Sequence, residues 1–177
     1  MGPDHAWVGV CRYNMGLGLW SLGRYREAEQ AYRQALAIKE QVLGQEHEEV
    51  GLVWNALALL YKETARFGEA EAALQRALKI RTSQPKPDEF LVAGTLTNLG
   101  DLYYTWGNLA KAEHHLRRAA TMAERAPVQN PQKYGTILNA LAVLYCSQGE
   151  HARAEETWKR ALPLMEPVLG DSHPHIA

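Results

Sequence analysis

The sequence predicts an all-α protein, a right-handed α-solenoid of antiparallel helix pairs. The chain of 177 residues matches itself when it is shifted by 42 positions, and within each repeat apolar residues recur three and four positions apart. The repeats are rich in Ala, Leu, Glu and Arg and lack the alternating strands that a propeller blade would need. Because one helix pair cannot bury its own apolar face, successive pairs are expected to stack.

Columns of matching residues define the repeat. Small residues on facing helices let two backbones approach closely, and a larger residue nearby fills the adjacent groove. The small columns are Ala28, Ala70, Ala112 and Ala154; Ala35, Ala77, Ala119 and Ala161; and Gly16, Ala58, Gly100 and Ala142. The larger columns are Met15, Leu57, Leu99 and Leu141; and Leu19, Tyr61, Tyr103 and Tyr145. A turn column follows at Gly23, Ala65, Gly107 and Gly149. The first helix of each repeat, A, is therefore predicted to pack on the second, B.

Capping residues mark the helix ends. Gly44 and Gly170 follow second helices, and Asn130-Pro131 opens another helix with a cap residue and a first-turn proline. The predicted helices are 6–21, 25–43, 48–64, 67–83, 87–105, 109–125, 131–147 and 151–168. The predicted repeats are 5–46, 47–88, 89–130 and 131–172, with 173–177 beginning an incomplete fifth. We expect one array, cut from a longer one.

Two segments depart from the repeat. Pro163 and Pro167 stand where the first repeat has Ala37 and Gln41. A proline inside a helix removes a hydrogen bond and clashes with the preceding turn, at a cost of about 3 kcal/mol. The last helix is therefore predicted to kink or to end early. Residues 83–87, Ser-Gln-Pro-Lys-Pro, break the second connector, and we expect a looser joint there.

The composition is that of a folded chain with almost no net charge. Hydrophobic residues make up 46%, and 19 Lys and Arg against 20 Asp and Glu leave a net charge of -1, so no overall field favours nucleic acid or a membrane surface. No signal-peptide pattern and no run of about eighteen apolar residues occurs. Cys11 and Cys146 stand far apart on predicted helices, which indicates reduced thiols. We expect a cytoplasmic protein.

These repeats resemble the tetratricopeptide family. Its pattern combines a small residue and an aromatic in the first helix, as at Ala58 and Tyr61, with alanine-based spacing in the second. The usual period of that family is about 34 residues. Here residues 35–44 lengthen the second helix and the connector, which is similar to the kinesin light chain type, and 47–61 and 173–177 resemble that type's repeat start. HEAT-like helices are the alternative.

The resemblance implies a concave peptide-binding groove lined by the first helices. Each repeat has one asparagine at one of two adjacent groove positions, where the kinesin light chain type has an Asn-Asn pair. An amide both donates and accepts, so a ladder of amides can hold a peptide backbone whatever its side chains. The alternative is that these asparagines bridge neighbouring helices. The predicted groove residues are Tyr13, Asn14, Leu17, Trp20, Leu52, Asn55, Leu59, Lys62, Asn98, Asp101, Tyr104 and Asn139.

The groove is predicted to be apolar and aromatic, and Val10 adds to that character. Only Lys62 is basic among these positions, so the Lys and Arg clamp of chaperone-binding relatives is absent. A partner with bulky apolar residues is favoured over an acidic tail. Tyr13, Trp20 and Tyr104 are the natural anchors, because large rigid aromatics dominate binding energy when they fill pockets. The alternative is that some of them pack between repeats.

No catalytic residue, metal ligand or cofactor site is predicted. Gly16, Gly18 and Gly23 lack the spacing and the preceding strand of a nucleotide loop, and we interpret them as packing residues. His114-His115 and the pair at 173 and 175 lack further ligands at metal-binding spacing, and we interpret them as solvated. No Ser-His-Asp or Cys-His grouping stands out.

A column of basic residues on the second helices could suggest a nucleic-acid ridge. Glutamates precede three of these residues by four positions, an arrangement that stabilises an exposed helix by about 0.2–0.5 kcal/mol per pair. The basic column is Arg33, Arg76, Arg117 and Lys159, and the glutamate column is Glu29, Glu71, Glu113 and Glu155. We interpret both columns as solvated surface and expect neither a nucleic acid nor a membrane as partner.

The predicted function is a scaffold or adaptor that binds a protein or peptide and catalyses nothing. The alternative is a self-association or regulatory segment of a larger signalling protein, whose groove receives another part of the same chain. Trp158, Leu162 and Leu164 of the last helix lack a following repeat to cover them. An uncovered apolar patch usually finds a partner. We therefore expect this fragment to associate through its C-terminal end or to bind a helix there, and a longer natural chain to cover the patch itself.

Overall fold

The computed structural model describes residues 3–125 and 131–169, and these form eight α-helices and no strand. Each predicted helix is present, and the predicted ends agree closely, because glycines and prolines mark most of them. The first helix begins earlier than predicted, with proline at its first position. The helices are α1 (Pro3–Ser21), α2 (Tyr25–Leu43), α3 (Glu48–Glu63), α4 (Phe67–Thr82), α5 (Glu89–Thr105), α6 (Leu109–Arg125), α7 (Pro131–Ser147) and α8 (His151–Leu169).

The chain forms two compact units, Met1–Asp88 and Glu89–Ala177. In the first unit α1 packs on α2, α2 on α3, and α3 on α4. In the second unit α5 packs on α6, α6 on α7, and α7 on α8. The division comes after residues 83–87, which lie between α4 and α5 and are not helical. The sequence predicts a break in this connector but places residues 83 and 87 in the flanking helices.

The alanine columns form the contact between the two helices of each repeat. All eight of these alanines are almost completely buried, which confirms their predicted packing role. The adjacent tyrosine column is buried as well. Within each unit the core is therefore a layer of small side chains with leucines and tyrosines beside it, as close packing of two helices requires.

Gly16 is one of the predicted packing residues, and the structure shows why it must be small. A Cβ atom at Gly16 would lie 2.5 Å from ring atoms of Tyr32 on α2. Gly18 is different, because a Cβ atom there would meet nothing within 4 Å. The packing interpretation is thus confirmed for Gly16. It is wrong for Gly18 and for Gly23, where a Cβ atom would also meet nothing within 4 Å among the described residues.

A second glycine column, which the sequence analysis missed, brings the start of each A helix against the end of its B helix. A Cβ atom would lie 3.2 Å from Ile38 at Gly9, 3.3 Å from Ile80 at Gly51, and 2.6 Å from Met165 at Gly135. These glycines recur with the period of 42, with Ala93 at the remaining position. The signal was therefore present in the sequence.

The turn between the helices of each repeat uses a left-handed residue. Gly23, Gly107 and Gly149 have φ values of 73°, 85° and 78°, and Ala65 takes the same conformation with φ 57°. Glycine adopts this region freely, whereas a residue with a Cβ atom is strained there. Ala65 is therefore a local point of strain that the other three repeats avoid.

Replacing Ala65 with glycine should stabilise the first unit. Relief of about 1–2 kcal/mol of left-handed strain exceeds the roughly 0.4–1 kcal/mol lost to greater freedom of the unfolded chain, so a net gain near 0.5–1 kcal/mol is expected. Urea denaturation of wild type and Ala65→Gly measures this gain. Gly23→Ala is the matched control and should shift the midpoint downwards; equal midpoints for all three proteins would contradict the strain at Ala65.

The sequence predicts that α8 kinks or ends early at its prolines; the early end is wrong, and the kink stays a prediction. The helix continues past Pro163 and Pro167 to Leu169. Packing beyond the first proline explains this, because Leu164 and Met165 lie against Gly135 at the start of α7. These contacts offset the hydrogen bond that a proline removes, and the φ of proline is itself compatible with a helix.

Three features of the sequence analysis fall outside the described residues. They are the cap residue Asn130, the terminating Gly170, and residues 173–177 with their expected fifth repeat. Among the helices that the structure describes, none combines the length and the apolar character needed to cross a membrane.

Candidate peptide-binding groove

The predicted groove residues of α1 share one side of the helix and stay accessible. Tyr13, Leu17 and Trp20 are separated by four and three residues, which places them on one face. Leu17 is exposed, and the two aromatic residues are half-buried. Asn14, next to this face, is also exposed. We call these accessible positions and their equivalents in the other A helices the groove stripe.

The groove stripe on α3 is Leu52, Asn55, Leu59 and Lys62. Leu52 is exposed and the other three are half-buried. The residues that alternate with them around the helix are buried, namely Val50, Val53, Leu57 and Leu60. The first unit therefore leaves a mainly apolar stripe accessible on each of its two A helices.

Tyr13 is both a groove residue and a packing residue. Its ring lies 5.7 Å from the ring of Tyr32, and burial raises the pKa of Tyr13 while the charge of nearby Arg81 acts to lower that pKa. Burial also raises the pKa of Tyr32 to about 12. Arg81, buried on α4, thus adds a positive charge near the groove. Lys62 is the one basic residue among the predicted groove positions of the A helices, so the pattern of those helices does not indicate the charge of Arg81.

The groove stripe of the second unit is more polar. Asn98 and Asp101 are half-buried, whereas Tyr104 and Asn139 are exposed. Val143, which the sequence analysis did not single out, lies one turn after Asn139 on α7 and is also exposed. Tyr104 and Val143 therefore supply exposed apolar surface on the groove stripe of this unit.

The groove asparagines do not form a uniform ladder. Asn14 is exposed, while Asn139 accepts a hydrogen bond of 3.0 Å from the indole Nε1 of Trp158 on α8. Asn55 and Asn98 are half-buried, and each interacts with other groups of the chain. The helix-bridging alternative thus describes Asn139, whereas the side chain of Asn14 is accessible.

A partly exposed ion-pair network joins the two repeats of the first unit. Glu29 of α2 receives hydrogen bonds from Arg66 at 2.6 Å and from Arg33 at 3.0 Å. Arg66 also binds Glu69 and covers the ring of Tyr61 at 4.3 Å. Burial would raise the pKa of Glu29, but these two arginines outweigh burial and hold that pKa below its ordinary value. We call this network the inter-repeat clasp.

The second unit has a clasp of the same design. Arg153 of α8 binds Glu113 of α6 at 3.2 Å, donates to the hydroxyl of Tyr145 at 2.9 Å, and covers the Tyr145 ring at 4.0 Å. Glu150 is the third partner of this arginine. In both units the clasp therefore connects a B helix to the next repeat through an arginine stacked on a tyrosine.

The glutamate column is partly structural, which corrects its interpretation as solvated surface. Glu29 and Glu113 are half-buried because the next repeat covers them, whereas Glu155 is exposed. The predicted pairs within the helices are confirmed, with distances of 2.8 Å for Arg33–Glu29, 3.4 Å for Arg117–Glu113 and 2.6 Å for Lys159–Glu155.

His114 and His115 also differ from their interpretation as solvated residues. His114 is exposed as expected, but His115 is half-buried and stacks on the ring of Tyr103 at 5.4 Å. The two rings are nearly parallel, with an angle of 12° between their planes. Within residues 3–125 and 131–169, no three His, Cys, Asp or Glu side chains gather as metal ligands would.

Paired helices joined by left-handed turns, small-residue contacts within each pair and clasps between pairs define a tetratricopeptide-like helical repeat protein. The chain belongs to the MalT-like TPR region family, which it matches over residues 2–169. No curated protein matches it in sequence.

Solved structures with the same fold support this assignment. BtubC (BKLC) from P. vanneervenii superposes with a TM-score of 0.81 at 24% identity, over 94% of this chain and 66% of that one. A putative kinesin light chain from Podosopora anserina superposes with a TM-score of 0.72 at 17% identity, over 90% of this chain and 75% of that one. A Rap protein complexed with Competence and Sporulation Factor superposes with a TM-score of 0.81 at 18% identity, over 92% of this chain and 44% of that one.

These likenesses establish the fold alone. The tetratricopeptide prediction, made from the columns of small residues, is confirmed. The chain spans 66% of BtubC and 44% of the Rap protein, so it corresponds to part of each of them.

Proposed function

We propose that this chain binds a peptide or protein segment along the groove stripe and catalyses no reaction itself. One observation carries the proposal. Large apolar residues stay exposed on the stripe, at Leu17 and Leu52 in the first unit and at Tyr104 and Val143 in the second, while the other apolar columns of α3, α5 and α7 are mostly buried. Exposed apolar surface beside polar groups is typical of interaction sites.

The chemistry of the stripe favours a ligand with bulky apolar residues. Leu17, Leu52 and Leu59 offer aliphatic contacts in the first unit, and Trp20 is the half-buried aromatic anchor. Asn14 is positioned to hold a ligand backbone through its amide. A related fold has been solved as a complex of a Rap protein with Competence and Sporulation Factor, which is consistent with a binding role.

The finer assignments are part of the same proposal. The period of 42 residues supports repeats of the kinesin light chain type, and a protein of that description shares the fold. We also propose a scaffold that acts in the cytoplasm, supported by the two free cysteines, Cys11 and Cys146, since free thiols are usual in a reducing compartment.

A peptide library displayed on beads tests the groove. Leu17→Glu and Leu52→Glu place a charge on the apolar stripe, so we expect affinity for the selected peptides to fall about tenfold or more, because a desolvated charge is costly. Trp20→Ala should weaken mainly the peptides with large apolar anchors. Asn14→Ala should weaken binding across many peptide sequences, because it removes an exposed amide that can hold a ligand backbone.

Met15→Glu is the matched control, since Met15 is exposed on α1 but lies outside the groove stripe. It should leave peptide binding unchanged. If the stripe variants bind every selected peptide as tightly as wild type, the groove is not the binding site. Thermal unfolding of each variant establishes that a loss of binding does not come from a loss of structure.

A further inference from the structure

One side of α1 exposes apolar residues whose equivalents on α3 are buried. Val8 is 45% exposed and Met15 is 47% exposed, whereas the equivalent residues Val50 and Leu57 are 0% and 1% exposed. Cys11, between them, is exposed too. These three residues, which we call the open α1 face, lie apart from the groove stripe and take no part in the proposed peptide binding.

The first unit shows which kind of element covers such a face. Helix α2 packs on α3, and its Arg33 and Leu36 share a cavity of about 470 Å³ with Leu57 and Tyr61 of α3. Glu29, one turn before Arg33, supplies the clasp. The covering element is therefore a B helix that presents glutamate, a basic residue and leucine along one side.

The second unit repeats this arrangement. Arg117 and Ala120 of α6 share a cavity of about 230 Å³ with Leu141 and Tyr145 of α7. Since both units use the same columns, the contact between a B helix and the next A helix is a recurring interface of this chain, and its chemistry can be applied to the open α1 face.

Helix α8 carries the covering side without an A helix against it in the described part of the chain. Glu155, Lys159 and Leu162 occupy the columns of Glu29, Arg33 and Leu36. The Glu155 side chain is 68% exposed, whereas that of Glu29 is 18% exposed beneath its clasp. α8 therefore presents the sequence pattern that α2 uses to cover α3.

An arginine equivalent to the clasp residue Arg66 lies beside α1. Arg24 precedes α2 with φ -83° and ψ 61°, nearly the conformation of Arg66 before α4, with φ -88° and ψ 61°. Arg24 binds Glu27 at 2.6 Å, as Arg66 binds Glu69 at 2.5 Å. Arg66 also holds Glu29 of the preceding B helix, and Arg24 is oriented to hold an equivalent carboxylate.

We propose that the open α1 face receives α8 of a second copy of this chain, with Glu155 of that copy binding Arg24. The contact repeats the α2–α3 interface between molecules. Because the two surfaces differ, the association is head-to-tail, and each pair keeps a free surface at both ends that can add further copies. This inference is independent of the proposed peptide binding.

The two native cysteines test the covering of the open α1 face. Cys11 is one of its residues, while Cys146 is an exposed residue of α7 and does not belong to it. Alkylation followed by mass spectrometry should show Cys11 reacting more slowly as protein concentration rises, with Cys146 reacting at a constant rate. Sedimentation velocity on the same samples should show the mass increasing in parallel.

Variants identify the surfaces. Met15→Glu should weaken association about tenfold or more, because it buries a charge in an apolar contact. Leu17→Glu, the same kind of change on the groove stripe of the same helix, should not weaken it. Arg24→Glu and Glu155→Arg should each fail to associate alone, and an equimolar mixture should form mixed pairs, since each supplies the opposite charge to the other.

Four results would overturn the proposal. The chain could stay monomeric at high concentration, or it could associate with Met15→Glu as well as with wild type. Cys11 could be protected equally at every dilution, which would indicate cover by a segment of the same chain. Arg24→Glu could associate fully while Glu155→Arg has no effect, which would indicate another contact. Each result is separate from the outcome of the peptide-binding test.

Discussion

Replacing Ala112 with phenylalanine should destabilise the second unit by about 1–3 kcal/mol or more, as overpacked cores usually lose that amount. Ala112 lies on α6 where that helix packs on α5, and its side chain is completely buried. A phenyl ring there has no space unless the two backbones move apart. With a typical urea dependence, the unfolding midpoint should fall by about 1 M.

Ala110→Phe is the control for this change. Ala110 lies two residues earlier on the same helix but is exposed, so the ring added there would enter solvent. Both variants alter helix propensity equally, and the difference between them isolates the packing cost. Equal midpoints for Ala112→Phe and wild type would mean that the small column does not set the distance between the helices.

The fold was predictable because its main features depend on single positions. A left-handed turn favours glycine, as at Gly23, and a close approach of two helices needs a small residue, as at Ala28, so each requirement leaves few residue types in its column. The end of α8 was not predictable from Pro163 alone. Its contacts with α7 through Leu164 and Met165 decide that a helix with proline continues.

The inter-repeat clasps were not predicted from the sequence, because their arginines occupy different positions of the repeat in the two units. In the first unit the order is Arg66 followed by Glu69, whereas in the second it is Glu150 followed by Arg153. The charges exchange places, but the arginine still covers a tyrosine and still reaches the preceding glutamate. Matching residue types at single repeat positions does not reveal this interaction, because the arginine and the glutamate exchange positions between the two units.

The groove is the part that sequence predicts least completely. Spacing alone places Leu17 and Leu52 on accessible faces, and the structure agrees. Whether an amide faces a ligand depends on neighbouring side chains: Asn139 is engaged by Trp158, while Asn14 is not covered. Side chains of the B helices, such as Trp158, determine whether a groove asparagine is accessible. The residue pattern of the A helices alone therefore cannot predict it.

Replacing Gly16 with alanine should destabilise the first unit. The added Cβ atom would lie 2.5 Å from the ring of Tyr32, which is itself 1% exposed and has no free space to move into. The overpacking cost of about 1–3 kcal/mol exceeds the gain of about 0.8–1 kcal/mol in helix propensity over glycine. Gly18→Ala on the same helix meets nothing within 4 Å and should instead stabilise the unit.

The second repeat shows how the clash can be removed, because there the same two columns hold Ala58 and Leu74, both buried. Tyr32→Leu alone should leave a gap beside Gly16. The double variant Gly16→Ala, Tyr32→Leu recreates the pair of the second repeat and removes a buried tyrosine hydroxyl that has no hydrogen-bond partner among the described residues. It should therefore be more stable than Gly16→Ala, with a coupling of about 0.5–3 kcal/mol in a double-mutant cycle measured by urea denaturation. Strict additivity of the two changes would show that Gly16 and Tyr32 do not determine each other's size.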